Sequence, residues 1–425
     1  MKNYFLSLLP VFIVLGIIDY RFSNYFWPGL DFVQVWSGAK MFDFLSVLTV
    51  YCAATVLVWM ISGGWQMPLR WFHGVIGLIL TGLLIGGFAY SPVEPQIKSF
   101  WVQMVVNYFM PIAVFLVAAG AFTRSGKLRD AFIKVFLVSF SILGVLCIFQ
   151  FFSGVLPGES KDFLGRAVWP YIDPFSDMKA ESANWLAYLF GPTLLLSAVQ
   201  FFRSRSALYL ISFVIAAIVL FLSKSYTGLF VSGFLVVVLM FFQVPKKWRV
   251  SVLAGALIAG VLLVVSQWNT PKFQVLLGNY ELPNSIERRV QIYSFTWEMM
   301  GERLVQGIGI GNYQSFFRAH QGEVFEVPIP EIELPPHPHN LLMNAWSDLG
   351  IAGLLGFLVL YGGALWFFLK DPNKGVFFLV FMYPLGHGVM DVPYGLEEVS
   401  QIFWILLALA ASSEYNPPTF FKPVK

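Results

Sequence analysis

The sequence predicts an all-α, polytopic integral membrane protein with about twelve membrane-spanning helices and a large outer loop between the ninth and the tenth. Three observations carry that expectation. Only 12% of the 425 residues are charged, whereas a water-soluble domain carries about 25%. Hydrophobic residues make up 57%, more apolar surface than a chain of this length can hide from water. Apolar stretches long enough to cross a bilayer recur along the whole chain.

The first nine expected spans are 4–20, 43–63, 71–90, 101–123, 131–152, 183–201, 207–222, 226–243 and 250–267. The last three are 344–369, 375–390 and 399–413. Backbone groups in lipid must bond within their own segment, so each span is expected to be a helix. The first, following Lys2, mimics a signal peptide, but Asp19, Tyr20 and Arg21 follow it instead of the small residues of a cleavage site. It is therefore read as a retained span. Cys52 and Cys147 both fall inside apolar runs and are read as packing residues.

Lys and Arg set the orientation. Short basic connections hold Arg70; Arg124, Lys127 and Arg129; Arg203 and Arg205; Lys246, Lys247 and Arg249; and Lys370 and Lys374. These are expected to be cytoplasmic, with Lys2 at one terminus and Lys422 and Lys425 at the other. The opposite connections are richer in acid, with Glu94, Glu159, Asp162, Asp173, Asp177, Glu397 and Glu398, although Arg21, Lys98 and Lys161 also lie there. The net charge of +3 is too small to argue for a nucleic-acid partner. The chain reads as one membrane domain, 1–425, whose segment 268–343 is a long outer loop. A second outer connection runs from about Ser153 to Asn184. Loops of that length are usually functional. The larger one is expected to contain a helix around Ile286–Glu302, with Tyr293, Trp297 and Met300 at helical spacing and resting on the membrane surface.

Candidate chemistry gathers where this loop re-enters the membrane. The segment Leu334-Pro335-Pro336-His337-Pro338-His339-Asn340 is stiff and extended, because its prolines cannot continue a helix. Asn340 is a plausible cap for the helix that follows, which puts His339 at a helix N-terminus. Such a histidine either serves chemistry or simply closes a helix end. His73 is read as interfacial and His320 as solvated. Arg288 and Arg289 open the loop helix as solvated charges or, near an outer-leaflet lipid phosphate, as forks that match its oxygens. The run Gly307-Ile308-Gly309-Ile310-Gly311-Asn312 lacks a following Lys-Ser/Thr, so it reads as a tight turn, not a nucleotide loop. His387 and Asp391 lie four residues apart, at the spacing of one helix face. Asp348 is a further ionisable group at membrane depth. No Cys, His, Asp or Glu cluster has metal-ligand spacing, since His337 and His339 are too few.

These motifs resemble a known family. His339-Asn340, followed after nine residues by Gly350-Ile351-Ala352-Gly353, resembles the histidine motif of bacterial O-antigen ligases. Arg289 and, eighteen positions on, the glycine run ending in Tyr313 resemble the segment that leads to that motif in the superfamily of O-antigen ligases and Wzy-type polymerases. Arg166 and Asn184 fit a further superfamily pattern loosely, and the closing stretch His387 to Trp404, with Asp391-Val392-Pro393-Tyr394, is also similar to some members. The doubled Pro-His-Pro-His is less typical and makes His337 a competitor of His339.

The resemblance implies a metal-independent, inverting glycosyltransferase with no cofactor. Its donor would be a glycan on undecaprenyl diphosphate at the outer face of the bacterial inner membrane, and its acceptor a hydroxyl of lipid A–core. A Wzy-type polymerase would instead use a second lipid-linked repeat, and the sequence does not separate the two. The resemblance makes His339 the catalytic base and Arg289, Arg288 and Arg166 the diphosphate-binding residues, with Asn340, His337, Asp391 and His387 in support. A transporter or flippase is the alternative from another class. It predicts inverted repeats, broken helices and mid-membrane charge, whereas the ionisable groups here bunch at one face.

Overall fold

A computed structural model describes residues 6–15, 47–61, 70–88, 104–154, 161, 166–167, 183–279, 285–325, 329–330, 334–372, 375–392 and 397–413. The expectations for both termini, for most of the 153–184 connection, for Pro393 and Tyr394 and for the His73 side chain lie outside the described residues. The helices are α1 (Leu6–Leu15), α2 (Val47–Ile61), α3 (Arg70–Phe88), α4 (Met110–Arg124), α5 (Gly126–Ser153), α6 (Ala183–Ser204), α7 (Ala207–Ser223) and α8 (Tyr226–Gln243). They continue with α9 (Arg249–Gln267), α10 (Pro271–Leu276), α11 (Ser285–Gly301), α12 (Tyr313–Val324), α13 (Leu341–Lys370), α14 (Val376–His387) and α15 (Glu397–Ser413). A π-helical turn, Val105–Phe109, leads into α4.

Among the described residues, each apolar segment read from the sequence contributes to a helix. By length and composition, six described helices can cross a membrane: Asn107–Arg124, Gly126–Ser153, Ala183–Ser204, Tyr226–Gln243, Lys246–Gln267 and Leu341–Lys370. The other apolar helices are shorter, such as Ala207–Ser223 and Val376–His387. The outer faces need an apolar solvent. Val250 and Leu257 of α9 are 76% and 71% exposed, and Phe230 of α8 is 74% exposed. In water such a surface would drive aggregation, whereas lipid tails match it.

The interior is built around α6 and α14, both buried along nearly their whole length. Helix α14 packs against α6, α8, α13 and α15, while α15 lies along α4 and α13 along α3. Close approach of α6 and α14 depends on Gly191: a Cβ there would meet the Tyr383 ring at 1.9 Å. That ring's hydroxyl donates to the Ala187 carbonyl oxygen at 2.7 Å, so its polar tip is satisfied inside an apolar layer. Cys52 and Cys147 are buried, as packing residues should be.

The segment between α9 and α13 folds on a second, smaller core of its own. Ile292, Phe295, Met299 and Met300 of α11 pack with Tyr313, Phe316 and Phe317 of α12 and with Trp346 of α13. This corrects the expectation of a helix resting on the membrane by Tyr293, Trp297 and Met300. Met300 is buried, Tyr293 is half-buried against α13, and only Trp297 is exposed, its ring edge-on to Trp346 at 5.8 Å.

The glycine run shows why this small core sits where it does. Helix α13 is broken at Gly350, which has φ 64° and ψ −161°. Gly307 (φ 69°), Gly309 (φ 87°) and Gly311 (φ 75°) turn the loop into that break. The Ser347 carbonyl accepts from the Ile308 and Gly309 amides at 2.7 and 3.1 Å, and the Ile351 amide donates to Val305 at 3.3 Å. A Cβ on Gly350 would lie 2.0 Å from the Val305 oxygen, and one on Gly307 2.6 Å from that of Ser347. Only glycine allows both the backbone angles and the approach. The run is a turn that docks on a helix break, and two of its amides are spent on Ser347 instead of facing a phosphate.

Candidate active site

Asn340 caps α13 as its sequence position predicts. Its side-chain oxygen accepts from the Leu342 and Met343 amides at 3.0 and 3.1 Å, and its amide nitrogen donates to the Val389 carbonyl at 3.0 Å. The Leu341 amide donates to the Gly388 carbonyl at 2.6 Å. The turn after α14 therefore wraps the start of α13, bringing residues 388–391 against residues 339–341.

At this junction His339 adopts φ +52°, a left-handed conformation uncommon for a side chain with a Cβ. Such a conformation persists only where its surroundings fix it. The Tyr293 hydroxyl donates to the His339 carbonyl at 2.9 Å and lies 3.0 Å from that of Val389. Burial pushes the Tyr293 hydroxyl above its ordinary range, so it remains a donor. The His339 amide donates to His337 Nδ1 at 3.3 Å, and the two imidazoles meet edge to face with centroids 4.4 Å apart.

The His339 Nδ1 atom lies 3.1 Å from Asp391 Oδ1. Asp391 also accepts from the Val392 amide at 2.9 Å and from Asn184 Nδ2 at 2.8 Å. Asn184 in turn accepts from the Ser225 hydroxyl at 2.7 Å, and Ser225 caps α8. Burial pushes the Asp391 carboxyl up, but the hydrogen bond and charge of His339, with His337 and His387 beyond, pull it below the usual carboxylate range. An ionised carboxylate only accepts, so His339 Nδ1 is the donor and Nε2 is left as the acceptor. His339 keeps 27% of its side chain exposed, against 11% for Asp391. The pair is thus an imidazole with one open nitrogen, oriented by a buried carboxylate.

Arg289 stands next to this pair. Its Nε donates to the Met390 carbonyl at 2.7 Å and one terminal nitrogen to the Ser285 carbonyl at 3.1 Å. These bonds fix the fork, and its other terminal nitrogen has no hydrogen-bond partner among the described residues. Arg288 donates to the Gln291 side-chain oxygen at 3.3 Å. Arg166 lies near enough to Tyr226 to interact electrostatically.

His387 and Asp391 do not share a helix face. Helix α14 ends at His387, and Asp391 lies beyond it, facing His339. His387 is fully buried, 4.1 Å ring to ring from Tyr188 and 5.8 Å from Tyr383. Burial, with His339 nearby, lowers His337 to about 3, so this imidazole is neutral at ordinary pH. The expectation that no metal-ligand cluster exists is also corrected. The fold adds Asp391 to the histidine pair, and one ligand atom from each of the three lies within 4.8 Å of the others.

Sequence reasoning missed Ser225, the bracing hydroxyl of Tyr293, and Lys272. The Lys272 ammonium donates to the Lys224 carbonyl and lies 4.6 Å above the Tyr226 ring. Asp348, an ionisable group expected at membrane depth, is buried and accepts from Tyr108 at 3.1 Å and Asn344 at 2.9 Å.

Two comparisons with known proteins bear on the site. Residues 211–358 match the family model described as O-antigen ligase. That stretch holds Arg289, the glycine run, His337, His339 and Gly350, and stops short of Asp391. A curated O-antigen ligase from Salmonella typhimurium is 25% identical over 240 residues, covering 55% of this chain and 56% of the relative. The chain thus spans about half the length of that relative. Both comparisons support the resemblance to the O-antigen ligase superfamily, an enzyme class, that the motifs carry.

Proposed function

We propose that this chain is a membrane glycosyltransferase of the O-antigen ligase type, moving a glycan from undecaprenyl diphosphate to a hydroxyl of lipid A–core. The reading is of a bacterial inner-membrane protein with twelve spans, both termini cytoplasmic, and segment 268–343 with its site in the periplasm. The single observation that supports it most is the His339–Asp391 pair, with an open imidazole nitrogen, beside the anchored Arg289 fork.

The chemistry follows from those groups. His339 Nε2 takes the proton from the acceptor hydroxyl as its oxygen attacks the anomeric carbon. The carbon–oxygen bond to the diphosphate breaks as the new one forms, so an in-line attack inverts that centre. Asp391 keeps His339 in the correct tautomer and stabilises the imidazolium that results. Negative charge builds on the leaving diphosphate, and Arg289 is suited to receive it, with Arg288 and Arg166 as weaker partners. Neither a metal ion nor a cofactor has a role in this sequence of steps. The isoprenoid tail of the donor stays in the bilayer, so its diphosphate enters sideways, beneath the α11–α12 layer.

The break at Gly350 and buried Asp348 would suit a transporter. The backbone groups around that break are instead taken up by the glycine run, and Asp348 is held by Tyr108 and Asn344, which favours a fixed scaffold. The polymerase reading differs only in its acceptor. In-vitro transfer from a defined lipid-diphosphate glycan, offered both lipid A–core and a second lipid-linked repeat, tests the choice. Elongation of lipid A–core is the expected result, and elongation of the lipid-linked repeat would make the chain a polymerase.

A further inference from the structure

We propose that His337, His339 and Asp391 form a binding site for a late first-row divalent cation such as Zn2+, and that the bound ion shuts off transfer. Two imidazoles and one carboxylate, contributed by two separate segments, present ligand atoms all within 4.8 Å of one another. Bonds of ~2.1 Å to a tetrahedral ion set its ligand atoms about 3.4 Å apart. The His339–Asp391 pair, at 3.1 Å, is already near that spacing, and small side-chain rotations close the rest. Imidazole with carboxylate selects zinc, nickel or copper; calcium and magnesium prefer shells of oxygen. The supporting shell is in place, because Asn184 and the Val392 amide fix the carboxylate from behind. Arg289, fastened to the neighbouring Met390 carbonyl, opposes a cation and limits the affinity.

Coordination through Nδ1 requires His339 to change tautomer: the Nδ1 proton goes to solvent, Nε2 takes one up, and the ion lies between the neutral imidazole and Asp391. With Nδ1 on the ion and Nε2 protonated, His339 has no free nitrogen to take a proton from a hydroxyl. This consequence for transfer rests on the reading of His339 as base, whereas binding itself does not. The experiment is a Co2+ titration of the chelator-stripped, purified protein, followed by visible d–d absorption, with transfer measured in the same samples. One saturable equivalent is expected, weakened about tenfold or more by His337→Ala and unchanged by His320→Ala, whose ring stacks on Phe316 away from the cluster. Transfer is expected to fall as Co2+ saturates and to return on adding chelator. Absence of a saturable signal, or equal affinity in wild type and His337→Ala, overturns the site. Binding with transfer intact at saturation overturns the inhibitory role alone.

Discussion

Helix α6 carries polar groups at both ends, and they differ in how completely they are satisfied. At its C-terminus Arg203 closes a two-pronged ion pair with Asp130, at 2.8 and 3.0 Å, where the helix dipole also favours a cation. At its N-terminus Asn184 joins Ser225 to Asp391, and Asp391 joins His339. That second chain of bonds ends on an imidazole nitrogen with no partner among the described residues. The first arrangement is closed and serves structure. The second is held just as firmly but keeps one valence open, as a site that acts on an incoming group requires.

Substitutions at the two ends should separate these roles. Asp391→Asn keeps the shape but favours the wrong His339 tautomer, and should lower transfer about 10²–10⁴-fold with donor binding retained. Steady-state transfer with a defined donor reads this, and wild-type turnover in the variant would remove Asp391 from the base. Arg289→Ala loses a charge-assisted contact worth about 1.5–3 kcal/mol, or roughly ten- to a hundredfold in turnover or donor affinity. Arg289→Lys should recover only part, because it lacks the fork. Asn184→Ala should cost about three- to thirtyfold, as Asp391 loses one brace of two. At the other end, Asp130→Asn should leave transfer unchanged and lower stability by about 1 kcal/mol or less, since the pair is partly exposed. A thermal-shift measurement beside the transfer assay distinguishes the two ends.

A pH profile sharpens the contrast. Asp391 is held below the usual carboxylate range and His337 is lowered to about 3, so neither changes charge over the pH range of an assay. A loss of transfer on acidification therefore arises at neither of these two groups. The shape of that acid limb should persist in His337→Gln; its disappearance would assign the base to His337. His337 also affects stability with a definite sign. The unfolded chain binds its proton first, so folded stability should fall as pH drops from about 6.5 towards 3.

Much of the helical layout was legible because hydropathy and proline placement act locally. The α13 cap could be read from Asn340 alone, and α11 from its apolar spacing. What escaped were contacts between distant segments. The spacing of His387 and Asp391 suggested one helix face, but α14 stops at His387, and Asp391 finds a histidine 52 positions away. Asn184 and Asp391 are 207 positions apart. The glycine run could be recognised as a turn, yet the reason for its glycines lies in the helix break at Gly350, which no local pattern announces. Tyr293 has the spacing of a membrane-facing residue, and only the fold turns its hydroxyl towards His339.

The central claim is that His339 is the base and His337 its neighbour. The direct measurement is transfer from a defined lipid-diphosphate glycan by His339→Ala and His337→Ala, each shown to be monodisperse and to bind donor. The account predicts that His339→Ala loses about 10²–10⁴-fold in turnover while binding donor normally, and that His337→Ala is milder. Loss of transfer in His337→Ala with His339→Ala still active would contradict it.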